Sequence, residues 1–396
     1  MKIYCGIDVG TSKVLTIIGG MDDGGLRVLG VGVYPSFGIK KGVIVDIERA
    51  RESIRESVKR AERTSGLRVG KAFVSVSGRH VYSFNSKGLI TIPEDGKKPI
   101  GKSDIKRVLD SARDFPLPPD REVLHTITRK YILDGQSGVD APLGLHGFKL
   151  EAETHIVTVS SSPLHNLRKG LKGVEIEGFI LSSIAASEAV LKEEEKEGGV
   201  AVVDIGAGVC DIAVYRDGSV LHTSVLPLRG ENLTKDLSTE LGISFELAED
   251  MKKMGNVLGG REGEIEVREG VKAPREEVDS ILRARAEEFL RFIYAELSKP
   301  PVCMDLPHGI VFTGGSSKLP GFLKLAEDML SLPVRMGVPR NIMGLTDMLF
   351  DPACSCGVGL LMWGIRNMER REGVGKIFSL LKSKGGRWRG RNLSQT

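Results

Sequence analysis

Aromatic residues and long apolar runs are scarce in this sequence. Phe, Trp and Tyr together make up 5% of the 396 residues. No apolar run approaches the roughly 20 residues that a membrane-spanning helix needs, so membrane contact is expected only at the surface. A strand-like segment begins at Ile3, without the basic start and small-residue cleavage site of a secretory signal. We therefore expect a chain that stays in the cytosol.

Cysteine is also too sparse for a disulfide or metal framework. The chain has an odd number of cysteines, the five residues Cys5, Cys210, Cys303, Cys354 and Cys356. Three of the five lie inside strongly apolar runs. The last two lack metal-finger spacing and have no His nearby. We expect reduced, buried thiols and no structural zinc.

The content of hydrophobic and charged residues, 41% and 27%, is typical of a packed soluble protein. A chain of 396 residues exceeds what one hydrophobic core usually supports, so several folding units are expected.

The positive charge is concentrated near the C-terminus. Between Arg366 and Arg391 there are nine Lys or Arg residues and two acidic residues, a local charge of +7 within a chain of net charge +4. The remaining body is therefore mildly acidic. This distribution favours one local anionic partner over general nucleic-acid affinity.

The chain contains one α/β pattern twice. Each copy has a strand that ends in an Asp-x-Gly turn, followed by two more strands and a helix. The first copy has strands at Ile3–Val9, Val14–Ile18, Arg27–Tyr34 and Ala72–Val76, with a helix from the cap Asp46 to Gly66. The second has strands at Val200–Ile205, Asp211–Tyr215 and Val220–Leu226, a turn at Asp217-Gly218, and a helix from about Asn232 to Leu241. The repeat predicts a duplicated α/β unit.

Two such halves would enclose a cleft with an Asp and a glycine turn on each wall. Glycine lets the backbone approach phosphate closely, and the carboxylates of Asp8 and Asp204 would hold Mg²⁺ through water. Asp-x-Gly alone is a common turn, but the paired copies favour a phosphate clamp. A strand at Ile310–Thr313 runs into Gly314-Gly315 and then a helix with Leu319 and Pro320 near its start, which suits contact with a nucleotide.

These segments closely resemble the actin-like ATPase superfamily and, within it, the FtsA family of bacterial cell-division proteins. Asp8 to Lys13 resembles the first phosphate loop, Asp204 to Gly208 the second, and Thr313 to Ser316 the adenosine motif. The resemblance continues through residues 42–46, 76–80, 123–125, 341–347 and 357–361. It implies a duplicated actin-like (RNase H-like) α/β fold with an inserted α+β subdomain, 1C, and a C-terminal amphipathic helix.

The resemblance also implies ATP and Mg²⁺ as ligands. The residues expected at the nucleotide are Asp8, Gly10, Thr11, Ser12, Lys13, Asp204, Gly206, Ala207, Gly208, Gly230, Asn232, Lys235, Gly314, Gly315 and Ser316. The second loop continues with Val209-Cys210, where relatives often have a continuous glycine run with a hydroxyl residue. No catalytic residue is assigned, so the chain is expected to be at most a slow ATPase.

The domain limits follow from the same resemblance. They are 1A at 1–82, 163–198 and 351–372; 1C at 83–162; 2A at 199–243 and 304–350; 2B at 244–303; and the linker and membrane helix at 373–396. Within 1C, strands are expected near Ser86–Ile92, Val123–Leu133 and Lys149–Ser160, with a helix at Ser103–Asp114. Subdomain 1C is expected to serve filament contacts. In 2B, a helix at Val278–Leu297 carries Arg285, a candidate contact for the C-terminal peptide of the tubulin-like GTPase FtsZ. Later division proteins are further expected partners, and nucleic acid is not.

The tail predicts an amphipathic membrane helix. Val374, Ile377, Phe378 and Leu381 recur at i, i+3, i+4 and i+7, with Lys382 on the basic side and Trp388 between two arginines. The other interpretation is a helix that docks on its own body. The terminal position and the cations favour peripheral attachment to anionic lipid, on the cytoplasmic side of the inner membrane at the division septum.

Two alternatives remain. A sugar kinase of the same fold would need a catalytic aspartate and a polar sugar pocket, and the sequence locates neither. A pilus-assembly scaffold of the same superfamily would bind a membrane partner's peptide instead of lipid.

Overall fold

The computed structural model describes residues 2–22, 25–92, 98–260, 262–345 and 347–367. The strands of the first half and the inserted subdomain are β1 Tyr4–Val9, β2 Lys13–Asp22, β3 Gly25–Pro35, β4 Ile39–Lys40, β5 Val43–Ile44, β6 Lys71–Val76, β7 Val81–Thr91, β8 Arg121–Leu133, β9 Gln136–Val139, β10 Lys149–Ser160 and β11 Glu175–Leu181. Those that follow are β12 Val200–Ile205, β13 Cys210–Arg216, β14 Ser219–Leu226, β15 Glu264–Glu266, β16 Lys272–Pro274, β17 Ile310–Thr313, β18 Val334–Met336 and β19 Ile342–Gly344.

The helices are α1 Ile47–Ser65, α2 Lys102–Arg113, α3 Ser161–Gly170, α4 Ser182–Val190, α5 Glu193–Gly198, α6 Gly230–Glu240, α7 Phe245–Met254, α8 Arg275–Leu297 and α9 Phe322–Leu330, with α10 over residues 355–367. None of the described helices combines the length and the apolar character that spanning a bilayer requires.

Each half is built around one sheet. The first has the order β11-β6-β1-β2-β3-β19 and the second the order β14-β13-β12-β17-β18. In both sheets an antiparallel hairpin, β1–β2 or β12–β13, stands beside a parallel strand, β6 or β17. The predicted duplication is confirmed.

Local capping explains the first long helix. Asp46 accepts a hydrogen bond from the Arg49 amide at 3.1 Å, and Gly66 ends α1 in the left-handed conformation at φ 71. The helix packs closely on β3 because Gly32 has no side chain, and a Cβ there would lie 2.0 Å from the Ser57 carbonyl oxygen. The predicted span from Asp46 to Gly66 is confirmed.

Helices α4 and α10 cross between the two sheets. They touch at Gly359, where an added Cβ would lie 1.7 Å from the Ala185 carbonyl oxygen. The core around them mixes residues from both halves, including Leu15, Val202 and Val358. The two sheets therefore share packing beneath the cleft.

The inserted subdomain is a separate sheet of order β7-β10-β8-β9 with α2 on one face. Its small core contains Ile90, Val108, Leu150 and Ala152. The predicted helix and three long strands are present, although β7 begins at Val81 instead of Ser86. The short strand β9 was not predicted.

Four details differ from the prediction. Residues 342–344 form β19, and Ile342 pairs with Leu26 on β3, so the chain rejoins the first sheet before the predicted limit of 350. Helix α6 begins at Gly230, not Asn232. A 3-10 turn at Gly315–Lys318 precedes α9, which begins at Phe322, beyond Leu319 and Pro320.

The fourth difference concerns the thiols. All five are free, and four are buried as expected, but Cys303 is exposed. Cys303 lies in the loop after α8, outside any apolar strand.

Candidate nucleotide-binding cleft

Two matching hairpin turns face each other across a cleft. Residues 10–12 join β1 to β2, whose first residue is Lys13, and residues 206–209 join β12 to β13. The two strand pairs have the same register on either side of these turns. Both turns are closed by a backbone hydrogen bond, from Gly10 N to Lys13 O at 3.1 Å and from Gly206 N to Val209 O at 3.0 Å. They approach so closely that a Cβ on Gly208 would lie 2.2 Å from Thr11 Oγ1. The glycine at 208 is required by this contact.

The strand β17 brings a third turn to the same place. Gly314 has φ 85, and a Cβ there would lie 2.3 Å from Asp204 Oδ1 and 2.6 Å from the Ile205 carbonyl oxygen. Gly230, at the start of α6, adjoins Ser316, because its Cβ would lie 1.9 Å from Ser316 Oγ. Backbone bonds from Gly230 N to Gly206 O and from Glu231 N to Ala207 O tie this helix to the second hairpin turn.

These turns line a cavity of about 890 Å³. Its size falls in the range of small-molecule and cofactor sites, which is about 300 to 1,000 Å³. Of the predicted nucleotide residues, the structure brings together those of the three turns and the helix start: Asp8, Gly10, Thr11, Ser12, Lys13, Asp204, Gly206, Ala207, Gly208, Gly230, Gly314, Gly315 and Ser316. Asn232 and Lys235 do not line this cavity, and Lys235 lies exposed on α6.

Helices α6 and α7 instead present other side chains to the cavity. They are Glu231, Leu233, Phe245, Glu249, Lys252 and Lys253. The Lys252 ammonium donates to Thr234 Oγ1 at 2.9 Å and to Glu249 Oε2 at 2.5 Å, which fixes its position. Sequence reasoning missed this wall because its residues come from two helices that meet only in the fold.

Three aspartates at the base of the cleft lie within electrostatic range of one another, although they do not form a ready-made metal cluster among the described residues. Asp204 and Asp211 are direct partners in the β12–β13 ladder, and Asp8 holds the corresponding place on β1. Burial raises the pKa of all three carboxyls, and mutual repulsion with the neighbouring aspartates adds to the increase for Asp204 and Asp211. The pKa of Asp211 rises to about 7, even though hydrogen bonds from Ser77 oppose the increase.

This cluster disfavours three simultaneous negative charges unless a cation joins it. The Lys13 ammonium is one nearby positive charge, and it lies 3.6 Å from Cys354 Sγ. Lys13 also opposes the rise in the pKa of Asp8 and Asp204. The arrangement therefore suits an anionic ligand that brings a divalent cation to the aspartates and the two hairpin turns.

Asp211 and Ser77 were absent from the predicted site. Ser77 Oγ donates to the Asp211 carboxylate, with 2.6 and 2.7 Å to its two oxygens, and both residues line the cavity. One signal was available, since Asp211 is an acidic residue at the start of an otherwise apolar strand. Ser77 lies in residues 76–80, one of the segments that carry the family resemblance, but no chemical pattern in that segment marks it as a cleft residue.

Arg285 lies on α8, away from the cavity residues. Its guanidinium holds the Asp236 carboxylate of α6 through Nε at 2.6 Å and Nη2 at 3.0 Å. It also pairs with Glu288. The predicted partner residue therefore has a structural role in joining α6 to α8. The predicted membrane residues Val374, Ile377, Phe378, Leu381, Lys382 and Trp388 lie outside the described residues.

Solved structures with the same fold define the class. A chain from a PilM-PilN type IV pilus biogenesis complex aligns over 91% of this chain and 98% of its own length at TM-score 0.66 and 15% identity. MreB5 of Spiroplasma citri bound to ADP aligns over 94% of this chain and 99% of its own length at TM-score 0.57 and 13% identity. With the duplicated sheets and the three turns, these likenesses give the chain the actin-like ATPase fold.

Sequence relatives then give the family. The chain is 39% identical over 380 residues to the cell division protein FtsA of Pseudomonas aeruginosa, covering 93% of this chain and 90% of that protein. It is 37% identical over 377 residues to that of Bacillus subtilis, covering 92% and 84%. The family described as cell division protein FtsA matches residues 201–359, and the SHS2 domain inserted in FTSA matches residues 78–158. The chain belongs to the FtsA family of cell-division proteins.

Proposed function

We propose that the chain binds ATP with Mg²⁺ in the cleft and tethers an FtsZ polymer to the inner face of the cytoplasmic membrane at the division site. The observation that carries the nucleotide assignment is the close approach of the two hairpin turns, with Gly208 against Thr11. A larger residue at 208 would fill the space that backbone amides need in order to reach phosphate oxygens.

The donor set at the cleft fits a Mg-nucleotide. Residues 10–13 and 206–208 would hold the phosphates, and Gly230, Gly314, Gly315 and Ser316 would face the nucleoside. Asp8 and Asp204 would hold Mg²⁺ through water, beside Asp211. When bound, Mg²⁺ neutralises phosphate charge, which also relieves the repulsion among the aspartates.

Hydrolysis is proposed to be slow. The described residues that line the cavity include no His or Arg side chain. The second turn carries Val209 beside Cys210, where the family resemblance implies a hydroxyl residue. A scaffold needs a persistent nucleotide-bound state. A turnover of several per second without any partner would contradict this part and favour the sugar-kinase alternative.

The tethering role combines family membership with the tail. We propose that subdomain 2B, residues 244–303 with Arg285, receives the FtsZ C-terminal peptide, that the inserted subdomain contributes to self-association into filaments, and that later division proteins are recruited to the assembly. The tail from Val374 onward would supply the membrane contact, because it combines an apolar stripe with a basic face.

Vesicle sedimentation with FtsZ tests the tether. The full chain should carry FtsZ polymers into the pellet with anionic vesicles, and a chain lacking residues 374–396 should leave both proteins in the supernatant. The matched control is zwitterionic vesicles of equal size, which should recruit much less protein. Recruitment of FtsZ by the truncated chain, or none by the full chain, would contradict the proposal; the latter result would favour a pilus-type scaffold.

A further inference from the structure

The inserted subdomain contacts both halves of the molecule. On the first half it continues directly from β6 through residues Ser77–His80, since β7 begins at Val81. On the second half it rests against β14, the edge strand of the second sheet. A movement between the halves must therefore change at least one of these two attachments.

The first attachment begins inside the cleft. Ser77 Oγ donates to the Asp211 carboxylate at 2.6 and 2.7 Å, across a separation of 134 residues in the chain. Gly42, whose amide donates to Thr11 Oγ1 at 3.2 Å, packs on the Ser77 backbone so closely that a Cβ would lie 2.9 Å from the Ser77 carbonyl oxygen. Ser77 therefore contacts Asp211 on β13 directly, and it is linked to the first hairpin turn through Gly42.

The same segment is clamped to the insertion three residues later. The His80 carbonyl oxygen accepts hydrogen bonds from Arg121 Nη2 at 3.0 Å and from Ser160 N at 3.3 Å. Arg121 also donates to Thr158 Oγ1 and to the Thr158 carbonyl oxygen, each at 3.0 Å. This guanidinium fixes the end of the segment to β8 and β10 together.

Gly78 lets the segment turn between these two ends. Its φ is 129, and a Cβ would lie 2.8 Å from His80 Nδ1 and 3.3 Å from the Lys41 carbonyl oxygen. Val81 N donates to the Gly78 carbonyl oxygen at 3.0 Å, so the turn is short and closed. Because this connection is short and hydrogen-bonded, a displacement of Ser77 is expected to move the start of β7 as well.

The second attachment lies beside Asp211. Ser83 Oγ donates to the Thr223 carbonyl oxygen at 2.7 Å, and Asn85 Nδ2 donates to the Leu221 carbonyl oxygen at 3.1 Å. His155 bridges them, with 2.8 Å from Nδ1 to Asn85 Oδ1 and 3.0 Å from Nε2 to Thr223 Oγ1. Asp211 itself pairs with Val225, two residues further along β14.

Together these contacts form one continuous path. It runs from Asp211 through Ser77–His80 to the insertion, and from the insertion through β14 back to Asp211. We propose that residues Ser77–His80 couple the cleft to the inserted subdomain, so that a ligand engaging Asp211 changes how that subdomain rests on β14. The coupling rests on the proposed binding of a Mg-nucleotide in the cleft. Under this proposal, nucleotide binding in the cleft controls the position of the inserted subdomain, whose surface lies outside the cleft.

The distance between the insertion and the second half tests this coupling. Cys303 is an exposed natural thiol on the second half, whereas the other four thiols are buried, and Ser137→Cys on exposed β9 adds a second spin-label site. Pulsed electron resonance on the full chain, without nucleotide and with saturating Mg·ADP, should give different distance distributions. Calorimetry on the same labelled protein measures nucleotide binding separately.

Two variants locate the coupling. Ser77→Ala removes the donor to Asp211, and Arg121→Met removes the clamp on His80 while leaving the cavity residues intact. Arg121→Met should still bind Mg·ADP like the wild type but lose the nucleotide-dependent distance change. Ser77 lines the cavity, so Ser77→Ala is compared only at a Mg·ADP concentration that calorimetry shows to be saturating for that variant, and there it should also lose the change. Ser86→Ala on β7 and Arg113→Met on α2 are matched controls that should keep it.

The outcomes separate this coupling from the proposed function. A wild-type chain that binds Mg·ADP with no distance change would overturn the coupling and leave the binding proposal standing, as would an unaltered distance change in Arg121→Met. The absence of any binding heat in the wild-type chain would overturn both.

Discussion

The buried carboxyl of Asp211 makes the stability of the folded chain depend on pH. Because its pKa is about 7 in the folded chain and an ordinary 3.8 once the carboxyl is exposed by unfolding, the folded chain retains a proton that the unfolded chain has lost between these values. Stability contributed by this group therefore falls as pH rises from about 4 to about 7 and stays low above that. The ceiling of the effect is about 4 kcal/mol.

We predict that Asp211→Asn stabilises the chain without nucleotide, and more so at pH 8 than at pH 5.5. Denaturant unfolding of both proteins in a chelator measures the difference in the free energy of unfolding. The comparison between proteins removes the opposite slope expected from His80, His125 and His155, whose pKa values are lowered by burial. A difference that does not change with pH would show that Asp211 titrates normally.

Gly314→Asp should abolish ATP binding. The sequence suggests that the new carboxylate blocks the adenosine approach, and the structure adds a nearer cause, because its Cβ would collide with Asp204 Oδ1 at 2.3 Å in a left-handed backbone conformation. We expect no binding heat in calorimetry. Circular dichroism must show that the variant is folded, and a folded variant that binds ATP like the wild type would contradict the site assignment.

Helices and strands with a local signal in the sequence are the ones that could be predicted. Helix α1 has its cap Asp46 and its terminal Gly66 in the sequence, and β12 is an apolar run that ends at the Asp-x-Gly turn. The strands β9 and β19 have no such pattern, since one is polar and the other is three residues long. They form only because β8 and β3 offer free edges.

The same distinction applies to the site. The glycine turns were predictable because each carries its chemistry within a few adjacent residues. The Ser77–Asp211 pair joins residues 134 apart, and the wall from α6 and α7 depends on how two helices pack. Such contacts are set by tertiary structure, which a single sequence does not display.

The contact between α6 and α8 separates two roles of Arg285. Arg285→Ala should lower the free energy of unfolding by about 1 kcal/mol, because the bidentate pair with Asp236 is partly buried. It should also weaken binding of the FtsZ C-terminal peptide. Arg291→Ala is the matched control, since Arg291 is more exposed and pairs with Glu287 on the same helix. Reduced stability with unchanged peptide affinity would make Arg285 a structural residue only.

For the whole molecule, the tail should decide membrane attachment. Deleting residues 374–396 should leave a folded, ATP-binding protein that no longer sediments with anionic vesicles. Phe378→Glu should weaken binding strongly by placing a charge at the acyl boundary, whereas Lys382→Ala should weaken it by about 1 kcal/mol. Raising salt should reduce the electrostatic part. Equal vesicle binding by the truncated and full chains would contradict this role.

Titration calorimetry of the full chain with ATP in Mg²⁺ tests whether the two hairpin turns form a Mg-nucleotide site. We predict one ATP per chain for the wild type and a loss of at least about tenfold in affinity for Lys13→Met, since removing one charge from a partly buried phosphate contact costs about 1.4 kcal/mol or more. Lys71→Met, an exposed cation paired with Glu175 away from the cavity, should bind like the wild type. No binding by the wild type, or equal binding by Lys13→Met, would show that these turns do not form the nucleotide site.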